Sequence, residues 1–90
     1  MSRSIAHKVA RDLVESIGRN ESYDSLKRRM GTVTSVELAS PDGNRYAAEI
    51  QILWDDKPDG DIRIIAAVDG PAVSAYFPVG ESEIVRRPGS

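Results

Sequence analysis

Four aspartates crowd one short stretch of this chain: Asp55, Asp56, Asp59 and Asp61, around Lys57-Pro58 and Gly60. A hard divalent cation such as Ca²⁺ takes several oxygen ligands from a single loop, and carboxylates at this density are its usual donors. The spacing departs from the D-x-[DN]-x-[DN]-G pattern, however. No glutamate follows where a bidentate ligand is needed, and Lys57 sets a positive charge among the acids. Asp, Pro and Gly are also what a tight turn selects for backbone reasons. The stretch reads as a solvated hairpin turn, and no metal is implied.

His7 is the one histidine, and there is no cysteine. A two-histidine metal site within one chain, a thiolate zinc or iron–sulfur site, a disulfide and thiol catalysis are all excluded. A Ser–His–Asp triad would have to use His7, yet no G-x-S-x-G elbow is present. His7 falls on the flank of an apolar helical stripe, where it reads as a boundary residue. Gly18, Gly31, Gly43, Gly60 and Gly70 each stand alone at an expected element end and build no phosphate loop. No catalytic set and no cofactor emerge, so the reading leans away from an enzyme.

Lys27-Arg28-Arg29 is the densest basic run. With Arg3, Lys8, Arg11, Arg86 and Arg87 it offers a stripe for phosphate contacts. Against this, Asp12, Glu15, Glu21 and Asp24 are interleaved, Lys8/Asp12 and Arg11/Glu15 pair at i, i+4, and the net charge is −2. Nucleic acid is thus the weaker partner class, and the run suits a helix C-terminus, which favours cations.

The elements that must position these groups are legible from period. Ile5, Ala6, Val9, Ala10, Leu13, Val14 and Ile17 recur at helical spacing, which predicts a helix over 4–17, ended by Gly18. Tyr23, Leu26 and Met30 predict a short helix over 22–30, with Ser22 as its N-cap and Gly31 as its stop. The period then changes to two. Strands are predicted over about 32–39, 45–54, 61–68 and 72–79, divided by turns at 40–44, 55–60 and 69–71. Residues 83–85 add at most a short edge piece, and 86–90 form a frayed tail. Short connections between successive strands imply an antiparallel meander. The fold class is α+β: an N-terminal helix, with the short second helix, packed on one face of a four-stranded antiparallel sheet.

In the matching register Trp54 meets Ile62, Ile52 meets Ile64, and Ile50 meets Ala66. Ala66 then meets Ala75, and Ile64 meets Phe77. This face takes the helix, with Ala48, Ala66 and Ala75 leaving it room to come close. The opposite face holds Glu49, Gln51, Arg63 and Ser74, but also Leu53, Ile65, Ala67 and Tyr76, with Ile65 opposite both Gln51 and Tyr76. Nothing in the chain covers it.

At 90 residues, 40% hydrophobic and 29% charged, the chain is one small globular domain spanning 1–90, with a core only just large enough. No apolar run reaches membrane-spanning length, and residues 1–20 lack a signal-peptide core. A cytoplasmic protein is expected. The functional expectation is a non-catalytic protein-interaction or regulatory module that self-associates as a dimer through Leu53, Ile65, Ala67 and Tyr76, or binds another protein there. The alternatives are a small-ligand domain or small enzyme, with a pocket between the helices and the sheet near Trp54 and Tyr46, and a nucleic-acid-associated protein.

Overall fold

A computed structural model describes residues 2–39, 43, 45–69 and 79–89. Helix α1 (Ser2–Asn20) leads to a short helix α2 (Tyr23–Arg28) and then to strands β1 (Val33–Ala39), β2 (Arg45–Trp54), β3 (Ile62–Asp69) and β4 (Val79–Val85). The strands form one antiparallel sheet in the order β1-β2-β3-β4, and α1 lies across one face of it, over β3 and β4. Among the described residues no helix is long and apolar enough to cross a membrane.

The stripe of α1 does what its period requires: Ala6, Ala10 and Val14 are fully buried, and Val9, Leu13 and Ile17 pack half-buried beside them. Beneath them Ile62, Ile64, Ala66 and Val68 alternate inward along β3, and Ile50 and Ile52 of β2 belong to the same core. Alanine is buried on both layers, Ala6 and Ala10 on the helix and Ala48 and Ala66 on the sheet. The expected pairs Trp54–Ile62, Ile52–Ile64, Ile50–Ala66 and Gln51–Ile65 are all present.

Gly18 is not the stop of α1. The helix runs on to Asn20, the Glu21 N–H donates to the Ile17 carbonyl at 3.0 Å, and Asn20 Nδ2 donates to Ser16 Oγ at 3.1 Å. Gly18 instead marks where α1 passes β4: a Cβ there would sit 3.5 Å from Cγ of Glu83, an ordinary contact. The second helix ends sooner than 22–30 but keeps its cap, Ser22 Oγ accepting from the Ser25 N–H at 3.1 Å. Gly31, at φ +82°, turns the chain into β1.

The fourth strand differs from expectation. The second edge of β3 is paired with Val79–Val85, so Ala66 faces Glu81 where Ala75 was expected and Ile64 faces Glu83 where Phe77 was expected. The remainder of the expected strand, 72–78, lies outside the described residues. The physical reason is at the sheet edge. Alternation through 79–85 turns Glu81 and Glu83 toward the helix side, a placement that a strand in mid-sheet would not tolerate. On an edge strand under the flank of α1 both carboxylates meet the Arg11 guanidinium.

Candidate functional site

The aspartate loop is built as a turn. The Gly60 N–H donates to the Lys57 carbonyl at 3.1 Å, and Asp59 between them holds φ 65°, a left-handed conformation that a short Asp side chain tolerates. Its carboxylates are drawn apart. Asp55 takes Arg63 at 2.7 Å, Asp59 takes Lys27 at 2.8 Å, and Asp61 accepts the Arg87 N–H at 2.8 Å. The Lys27 ammonium beside Asp59 holds that carboxyl below its ordinary value and is itself raised by it. Among the described residues no set of three metal-binding side chains converges. The loop also ties to α2: Tyr23 OH donates to the Gly60 carbonyl at 2.6 Å and Lys27 pairs with Asp59.

Two of the three cations of the basic run are held within the fold. Lys27 is turned to Asp59 and Arg29 to Glu21, whose carboxyl is lowered first by that guanidinium and then by the Ser25 hydroxyl. The two pairs expected within α1 are present, Lys8–Asp12 at 3.0 Å and Arg11–Glu15 at 3.9 Å. Tyr46 and Trp54 sit at opposite ends of β2, roughly 27 Å apart at the rise of a strand, so no one small pocket takes both. Tyr46 is also buried in the core.

Where α1 crosses β4, four ionisable groups meet. Arg11 Nη2 donates to Glu81 Oε1 at 2.6 Å and to the Ser82 carbonyl at 3.0 Å, and its Nη1 donates to Glu83 at 3.2 Å. His7 Nδ1 lies 2.8 Å from the other Glu81 oxygen. The Arg11 guanidinium, and after it His7, hold the Glu81 carboxyl below its ordinary 4.5. Its folded value is thus below its unfolded one. The stabilisation is complete above 4.5 and is lost as pH falls through the folded value. The urea midpoint of the wild type will therefore exceed that of Glu81→Gln above pH 4.5, and the gap will narrow as pH is lowered below it. A gap that stays constant over that range removes the carboxylate from the account.

The outer face of the sheet carries no element of the described chain. Its rows, read across the strands, are Leu53–Arg63–Ile84, Val33–Gln51–Ile65–Ser82 and Ser35–Glu49–Ala67–Gly80. Leu53 is 38% exposed and Val33 55%, while Ile65, Ala67 and Ile84 are half-exposed. Three of the four expected interface residues, Leu53, Ile65 and Ala67, thus share this face. Tyr76 lies outside the described residues, and Ser82 stands opposite Ile65.

No family model, no curated protein and no solved structure matches this chain.

The face has two features that residue pattern alone did not show. Ile84 joins the apolar group, because β4 lies later in the chain than expected. The cations of the face are already held: Arg63 is bound by Asp55 and by Ser82 Oγ at 2.7 Å, and Arg45 by Glu37 at 3.1 Å. Covering these paired arginines strands no lone cation, which is the costly case, while Glu49 stands exposed in the row nearer Ala67. A shallow hollow of about 360 Å³ beside Ile65, floored by Gly80 and bounded by Arg11 and Arg63, breaks the face at the β4 edge.

Proposed function

We propose that this chain is a non-catalytic protein-interaction module whose outer sheet face is its working surface, and that the first occupant of the face is a second copy of the chain. The observation that carries the reading is the apolar group Leu53, Ile65 and Ile84, joined by Val33, on a face whose arginines are already paired within the fold. An apolar centre with a polar rim, here Glu49 and the paired Arg45 and Arg63, is the anatomy of a protein interface. The size of the face sets the strength. Four strands about 4.8 Å apart and some seven residues long give roughly 450 Å² of projected face per copy. Two copies then bury on the order of 1,000 Å², the lower end for specific association. The contact is therefore a concentration-dependent dimer.

Sedimentation equilibrium of the full chain across micromolar to sub-millimolar concentration tests it. Ile65→Asp and Leu53→Asp, each placing an unpaired charge in the covered centre, will abolish the face contact and leave the far-ultraviolet circular dichroism unchanged. Variants that stay folded and associate like the wild type would refute the reading.

A further inference from the structure

We propose that the outer edge of β1, which no described strand pairs, is a second, independent seam for a copy of this chain, with β1 pairing antiparallel to β1 of the copy about a two-fold axis at Val36. The inference uses the edge of the sheet and does not rest on the face.

Hydrogen-bond parity shows which groups the edge offers. Asp55, just past the end of β2, donates its N–H to the Asp61 carbonyl at 2.9 Å on the β3 side. On the β1 side the Gly31 N–H donates to Ile52 O at 2.9 Å, and the Ile52 N–H to Thr32 O at 3.5 Å. Odd residues of β2 therefore bond toward β3 and even residues toward β1. Carried through the register, Thr34, Val36 and Leu38 bond inward, and the N–H and C=O of Val33, Ser35, Glu37 and Ala39 point off the edge. The same parity sends the groups of Gly80, Ser82 and Ile84 off the other edge, at β4.

The two edges are not equivalent. On β4 the outward Ser82 carbonyl is already taken by Arg11, and Glu81 and Glu83 gather around that guanidinium beneath α1. An incoming strand would have to displace an ion cluster. Inward-pointing charge and a covering helix are the usual guards of a sheet edge. Among the described residues strand β1 has neither: its helix-side residues Thr34, Val36 and Leu38 are uncharged, and α1 comes near only Leu38 and Ala39 at its end. It is seven residues long and holds no proline or lysine, its one charge, Glu37, is engaged by Arg45, and among the described residues no side chain is bonded to its outward groups. A long unguarded edge of this kind is a template for another strand.

The sequence of β1 selects itself as that strand. A two-fold axis at Val36 overlays the whole of β1, pairing Val33 with Ala39, Thr34 with Leu38, Ser35 with Glu37, and Val36 with itself. Odd residues meet odd residues, so the outward groups oppose one another and about eight backbone hydrogen bonds form. Glu37 meets a serine hydroxyl, which can donate to it, whereas an axis one residue further on would set it against the other Glu37. The exposed Val33 is covered by alanine, and the half-buried Val36 and Leu38 continue the helix-side apolar layer across the seam. The product is an eight-stranded sheet whose outer face has twice the area of one chain's.

Ser35 is the position for the test, because its N–H serves the seam and not the β1–β2 ladder. Sedimentation of the full chain is compared for the wild type, Ser35→Pro, Ser35→Glu, Ser35→Lys and Ile65→Asp, with circular dichroism confirming the fold of each. Ser35→Pro will halve the mass of the associated species. Ser35→Glu, which sets like charges opposite at both symmetry-related pairs, will weaken association roughly three- to tenfold, and Ser35→Lys will tighten it by a similar factor. The lysine and glutamate variants keep the inference testable if the proline variant fails to fold. Serine variants that all associate like the wild type, while Ile65→Asp dissociates, overturn the seam and leave the face. Serine variants that rank as expected, while Ile65→Asp is silent, establish the seam and overturn the face. A monomer at every concentration overturns both.

Discussion

Ile64→Ala will destabilise the protein by about 3–4 kcal/mol, whereas Ile65→Ala, one residue along, will cost less than about 1. Ile64 has no exposed surface and lies on the helix-side face of β3, between Ile52 of β2 and Glu83 of β4. Cutting it to alanine removes three carbon atoms from the centre of the layer that α1 covers. The fully buried Ala6, Ala10 and Ala66 give the surroundings little side chain with which to fill the void. Ile65 points to the open face, so its loss in the monomer is mostly of half-hydrated surface. A domain of this length has roughly 5–13 kcal/mol in total, so the first change removes a large share of it. The thermal midpoint will fall by about 12–30 °C for Ile64→Ala. Equal effects at the two positions would mean that β3 is covered on both faces, and the interface reading would lose its surface.

The contrast between those neighbours is legible in the residue pattern, because β2 and β3 alternate strictly and a turn of fixed chemistry joins them. A slip of one residue would exchange the faces, so the pairs from Trp54–Ile62 to Ile50–Ala66 follow from alternation. The stripe of α1 is legible for the same reason. Its end is not, since Gly18 reads as a stop unless β4 is known to pass beside it. Strand β4 is hidden by its glutamates. Residues 72–79 have the better apolar alternation, and Glu81 and Glu83 become acceptable inward residues only in the company of Arg11 and His7, some seventy positions earlier in the chain. Arg11 and His7 stand at i, i+4 on one flank of α1, which is the available signal: a guanidinium and an imidazole leaning the same way are both suited to bind a carboxylate. The face therefore keeps Leu53, Ile65 and Ala67 where alternation puts them, and gains Ile84 and Ser82 from a strand that pattern places elsewhere.

Leu26→Ala will cost about 2–4 kcal/mol, and the loss will be local before it is global. A helix of six residues is far too short to persist alone. What holds α2 is Leu26, its one fully buried side chain, together with the Tyr23–Gly60 hydrogen bond and the Lys27–Asp59 ion pair to the β2–β3 turn. The ion pair is exposed and contributes little, and the hydrogen bond is partly open to water. Without the leucine anchor the remaining contacts do not offset the entropy of ordering the segment. The helix will melt while the sheet and α1 persist, so hydrogen exchange will accelerate across 23–31 and leave the β2–β3 ladder at Gln51–Ile65 and Leu53–Arg63 protected. Trp54, the one tryptophan, is half-buried at the sheet end nearest that turn, and its emission will shift to the red well before the circular dichroism of the sheet changes. The site of the loss matters because Gly31 and Thr32, which follow α2, place the start of β1 against Ile52. If β1 is a seam, Leu26→Ala will weaken association without touching either surface. Uniform acceleration of exchange across sheet and helices would instead show that α2 is an integral part of one cooperative unit.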